Sequence, residues 1–89
     1  MNVKEAVVVA KDYVSDLFRE EKPMNLGLEE VEFDERANEW HVTLGFSRPW
    51  ESGGGLATAL GTARRAYKIL RIANGDGHVI SVKDREGTQ

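Results

Sequence analysis

Residues 66–86 constrain this chain more than any other stretch. Two β-prone runs, Tyr67–Ala73 and His78–Arg85, flank Asn74-Gly75-Asp76-Gly77. β-Branched and aromatic residues favour strands. Asn and Gly tolerate the positive φ that tight turns demand. The pattern is that of a β-hairpin. At 89 residues the chain makes one domain, so the hairpin belongs to a single core.

The N-terminal stretch has a different period. Val3, Ala6, Val7, Ala10, Val14, Leu17 and Phe18 recur at helical spacing, with Lys11, Asp12, Ser15, Asp16 and Arg19 between them. Asn2 is a good N-cap, and Glu5 completes a capping box. The β-branched run Val7-Val8-Val9 weakens helix propensity, but the apolar stripe continues through Phe18. The expected helix runs from Val3 to Glu21. Pro23 stops it, because a residue before proline avoids helical angles.

Leu26–Asp34 reads as a first strand. Its apolar residues change parity between Leu28 and Val31, which one strand can do if Glu29–Glu30 hosts a β-bulge. Glu35–Glu39 is a turn. In Trp40–Ser47, Trp40, Val42, Leu44 and Phe46 alternate with His41, Thr43, Gly45 and Ser47, and the first set should face the helix. Pro49 ends that strand. Residues 48–65 form a connection that Ser52-Gly53-Gly54-Gly55 makes flexible by composition. Leu56–Arg65 is either a short helical turn or disordered.

The expected fold is therefore α+β, one N-terminal helix packed on a four-stranded antiparallel meander. In the closing hairpin both parities are partly apolar. Either a bulge shifts the phase, or something covers the outer face. A second copy of the chain is the simplest cover, and a homodimer is expected.

Charge is unevenly spread. Residues 1–39 hold 11 Asp+Glu against 5 Lys+Arg; residues 40–89 hold 4 against 7, for a net −3. This mild acidity argues against a nucleic-acid binder, whose footprint is basic. The chain has no cysteine, which removes disulfides, thiol catalysis and thiolate metal sites. No signal peptide and no membrane-spanning run is visible, so a cytoplasmic protein without a membrane partner is expected.

The helix-then-meander order, closed by Tyr-Lys-Ile-Leu-Arg-Ile, Asn-Gly-Asp-Gly and His-Val-Ile-Ser-Val, resembles the small bacterial PepSY-like and cystatin-like domains. More distantly it is similar to small cystatin-like immunity proteins. The resemblance implies a helix on a curved sheet and a regulatory or inhibitory binding module. It supplies no motif that transfers a functional residue position by position.

Several groups are candidates for chemistry. His41 and His78 could act as a base or a metal ligand, or be solvated strand residues. Glu29, Glu30 and Glu32 could pair for acid–base work or form a solvated face, with Glu30 and Glu32 sharing a side unless the bulge intervenes. Gly53-Gly54-Gly55 with Gly61-Thr62 lacks the spacing and lysine of a phosphate loop, and no dinucleotide or other cofactor motif is present. Arg48-Pro49-Trp50-Glu51 is the most suggestive piece, because Trp and Arg beside a flexible loop suit partner recognition. Alternatively, Trp50 caps the open end of the core. Arg64, Arg65, Lys68 and Arg71 could meet an acidic partner or the acidic first strand of their own sheet. The expectation is a non-enzymatic protein- or peptide-interaction module that binds through the Arg48–Arg65 loop, with Arg48, Trp50, Arg64 and Arg65 as contact residues, or through an exposed sheet face. The alternative is a ligand-binding or enzymatic domain with a pocket between helix and sheet.

Overall fold

The computed structural model describes residues 1–49 and 65–85. The chain runs α1 (Val3–Leu17), a 3-10 turn (Arg19–Glu21), β1 (Met24–Asp34), β2 (Glu39–Ser47), β3 (Ala66–Ala73) and β4 (Val79–Asp84). The four strands form one antiparallel sheet in the order β1-β2-β3-β4. This is the α+β arrangement of one helix followed by a meander.

The helix begins where its capping box places it. The Asn2 side chain accepts from the Glu5 amide at 2.8 Å, and the Asn2 amide donates to Glu5 Oε1 at 2.9 Å. Ala6, Ala10 and Val14 are fully buried, and small residues there let the backbone lie close to the sheet. The α-helix stops at Leu17, earlier than the apolar stripe suggests. The chain tightens into a 3-10 turn, with Glu21 N–H donating to Phe18 O and Lys22 N–H to Arg19 O. Lys22 then takes a left-handed φ of 52° before Pro23. Phe18 leans back on Phe46, with ring centroids 5.6 Å apart.

Val42, Leu44 and Phe46 from β2 join Leu70 and Ile72 from β3 beneath the helix, all fully buried. β1 carries the β-bulge that its change of parity requires. Leu28 pairs with Leu44 and Glu30 with Thr43, so Glu29 is the extra residue. Leu26 and Val31 consequently both pack on the core, while Glu29, Glu30 and Glu32 share the outer face. β1 has another register shift, between Met24 and Gly27, and a further bulge lies in β4. Ser81 pairs with Arg71 but Val79 with Ile72, leaving Ile80 as the extra residue. Val79 and Val82 thereby both turn to the core. The mixed parity of β4 thus needs no external cover, whereas Tyr67 and Ile69 of β3 do face outward.

The closing hairpin is shaped by its turn residues. Gly77 sits at φ 76°, its amide donates to Ala73 O, and the Ala73 amide donates to His78 O, both at 2.9 Å. No helix among the described residues is long and apolar enough to cross a membrane. The 48–65 connection lies almost wholly outside the described residues, so its expected flexibility does too.

Candidate functional site

The outer face of the sheet gathers most of the polar groups that alternation turns away from the core. Its centre is Glu39, at the start of β2 and only 3% exposed. Arg71 pairs with it from β3, Nε to Oε2 at 2.5 Å and Nη2 to Oε1 at 2.9 Å. His41, two residues along the same face, places Nε2 2.7 Å from Glu39 Oε2 and 3.9 Å from Asp34 Oδ2. The ladder makes this grouping possible by pairing His41 with Arg71 on one side and Glu32 on the other.

The hydrogen bonds from Arg71, and then from His41, hold the Glu39 carboxyl at about 2, down from its ordinary 4.5. A carboxylate that acidic, with both oxygens engaged, is a poor general base. Asp34, Glu39 and His41 bring potential ligand atoms within 4.8 Å of one another. The Arg71 guanidinium, however, already occupies the cationic position against both Glu39 oxygens. The cluster therefore acts as an ion-paired clasp between β2 and β3.

Beside it runs the cross-strand row Glu30–Thr43–Ile69–Lys83. Glu30, Glu32, His41, Thr43 and Ile69 line a shallow hollow of about 160 Å³, below the range of pockets that enclose drug-sized molecules, roughly 300–1,000 Å³. Further along, Gly45 lets three side chains close over β2. A Cβ there would lie about 3 Å from the Glu29 carboxylate, the Arg65 guanidinium and the Tyr67 ring. Arg65 Nη2 also donates to Asn25 O at 3.0 Å and lies 3.8 Å from Glu29. Arg85 stacks over the Tyr67 ring at 4.6 Å.

The structure separates the residues expected to form one recognition loop. Arg48 lies on the helix side, its Nε 2.6 Å from Glu21 Oε1 and its guanidinium 5.3 Å from the Phe46 ring centroid. Arg65 lies on the outer face. Trp50 and Arg64 fall outside the described residues. Of the described basic residues expected against the acidic first strand, only Arg65, just before β3, meets it, through Glu29; Arg71 instead meets Glu39 of β2, and Lys68 meets Asp84 of β4 on the helix side. His78 sits in the hairpin turn against Asp76, whose carboxyl is lowered by the His78 amide and ring.

Glu39, Arg71 and Asp34 were not singled out as a unit by sequence. Parity alone puts Glu39 on the face of His41, but the register of β3 against β2 is set across a connection too long for a short-turn signal in the sequence to announce it. Comparison of the chain with protein-family models, with curated proteins and with solved structures gives no match in any of the three, so the chemistry of this face carries the functional reading.

Proposed function

We propose that the protein is a cytoplasmic, non-enzymatic, regulatory interaction module that recognises a protein surface or peptide through the outer face of its sheet. One observation carries this: α1 packs on one face, and no described helix or strand packs on the other, although that other face presents Tyr67 and Ile69 between acidic and basic borders. A sheet face that no described element covers, with a partly apolar middle and charged margins, has the anatomy of a recognition surface. The PepSY-like resemblance, whose members are mostly regulatory or inhibitory binding modules, points the same way. Nucleic acid is disfavoured as a partner, because Glu29, Glu30 and Glu32 line one whole border of the face.

Of the loop residues Arg48, Trp50, Arg64 and Arg65, the geometry favours Arg65, which stands on the proposed surface. The alternative, a ligand or enzyme site in a pocket between helix and sheet, has in its favour a concavity of about 500 Å³ between α1 and the closing turn, lined by Met1, Lys4, Val8, Val9, Asn74 and Asp76. That concavity is wide open to solvent, and the hollow beside His41 is small, lies on the opposite face of the sheet and adjoins the locked Glu39 carboxylate, which weighs against it. The test is affinity capture from native lysate with three folded proteins: wild type, Glu30→Lys/Glu32→Lys, and Arg48→Ala/Trp50→Ala. Loss of a captured protein with the Glu30/Glu32 variant alone assigns recognition to the sheet face. Loss with the Arg48/Trp50 variant alone moves it to the connecting loop. Capture of nothing by any of the three removes the interaction reading and leaves the concavity and the hollow for a ligand screen.

A further inference from the structure

Resting on that assignment of the outer face, we propose that its occupant is a second copy of this chain, stacked face to face about a two-fold axis parallel to the strands. The charge layout points to this arrangement. On the outer face the charged residues of β1 are all acids, Glu29, Glu30, Glu32 and Asp34, whereas those of β4 and its end are Lys83 and Arg85. Inner pairs are already satisfied within the chain, Glu39 with Arg71 and Glu29 near Arg65. Glu30 and Glu32 at one border, and Lys83 at the other, make no ion pair among the described residues. The face is thus acid on one margin, base on the opposite margin, and between them its charges are paired within the chain, Glu39 with Arg71 and His41.

A surface so divided is its own complement under one symmetry operation. The row Glu30–Thr43–Ile69–Lys83 crosses all four strands. Rotation by half a turn about an axis along the strands, between β2 and β3, reverses that row. Glu30 then faces Lys83 of the second copy, Thr43 faces its Ile69, and the same contacts recur on the other side. An axis across the strands would instead set Glu30 against Glu30, like charge on like. Sheets stacked face to face stand about 10 Å apart, a gap that a Glu and a Lys side chain bridge between them. The roughly −30° angle of aligned sheets shifts the margins only slightly.

The size of the face sets the strength. Four strands spaced about 4.8 Å, each roughly 25 Å long, give about 500 Å² in projection per copy. The total of about 1,000 Å² is at the floor for a specific interface. The dimer is therefore weak, concentration-dependent and weakened by salt, since its margins are exposed ion pairs.

Sedimentation velocity of the full chain from about 1 µM to about 1 mM tests this. Wild type is expected to shift from monomer to dimer across that range, and less so in high salt. Each single reversal, Lys83→Glu or Glu30→Lys, turns two attractive pairs into two repulsive ones and should raise the dissociation constant by about tenfold. The double variant Glu30→Lys/Lys83→Glu should return it to within about threefold of wild type. Both positions are exposed, and circular dichroism confirms that each variant is folded. A wild type that stays monomeric, single reversals without effect, or a double variant that does not recover overturns the dimer. If wild type is monomeric yet the Glu30→Lys/Glu32→Lys variant still loses a captured protein, the face recognises something other than itself. If neither association is seen, the recognition reading of the face falls with the dimer.

Discussion

A single asparagine ties the two hairpin turns together. The Trp40 indole Nε1 donates to Asn74 Oδ1 at 2.9 Å, while Asn74 Nδ2 donates to Asn38 Oδ1 at 3.2 Å and the Asn74 amide to Asn38 O at 3.1 Å. Asn38 holds φ 55°, a left-handed conformation that asparagine adopts more readily than most residues. The indole is half-buried against Phe33, ring centroids 4.8 Å apart, so its N–H has few other partners. Asn74→Ala removes the acceptor and should cost about 1–2 kcal/mol of folding stability. Asn74→Asp keeps an acceptor for the indole and should cost less. Urea unfolding followed by far-UV circular dichroism measures both, and an Asn74→Ala midpoint equal to wild type would show that the indole bond contributes nothing.

At the scale of elements, the helix is positioned by small side chains. Ala6 and Ala10 are fully buried beneath α1, and interiors this close-packed accommodate added volume poorly. Ala10→Leu should lower stability by about 1–3 kcal/mol through overpacking. Val8→Leu, on the face of the same helix that is 56% exposed, should stay within about 0.5 kcal/mol of wild type. A thermal melt of the two variants reads the contrast, and equal losses would place the helix in a different orientation. The same elements show what a sequence can reveal. The capping box at Asn2 and Glu5, the alternation of Trp40–Phe46 and the Glu29 bulge are local, and each left a periodic trace. The mixed parity of β4 left a bulge and an outer cover equally open, and Ile80 could not be picked out, because Val79, Ile80 and Val82 are equally apolar. The Glu39–Arg71 clasp and the packing of Arg48 on Glu21 and Phe46 depend on register and on contacts distant in sequence, which periodicity does not encode.

Across the whole molecule, three carboxylates at different places couple folding to pH. Glu39 is held at about 2 by Arg71 and then His41 on the outer face. Asp84 is lowered by the hydrogen bond from Lys68, which joins β3 to β4 on the helix side. Asp76 is lowered by the His78 amide and ring within the closing turn. In each case the folded carboxyl is the stronger acid, so the unfolded chain takes up protons first as pH falls, and stability rises with pH through that range. For Glu39 the stabilisation is complete above its ordinary value near 4.5 and disappears as pH falls through it toward about 2; for Asp76 and Asp84 it fades in the same direction as pH falls below their ordinary 3.8. Salt should erode the contributions of Asp76 and Asp84, which are exposed, more than that of the buried Glu39. Glu39→Gln separates the terms. At pH 7 the variant is expected to be less stable than wild type, because Arg71 loses its charged partner. As pH drops below about 4.5 wild type should lose that advantage, and the two proteins should converge near pH 2, with the variant keeping only the shallower slope from Asp76 and Asp84. Urea midpoints across this range, at about 1 µM chain to keep the measurement on the monomer, supply the comparison. A difference between the proteins that does not change with pH would mean that the clasp acts through its shape and hydrogen bonds alone, with no part played by the charge on Glu39.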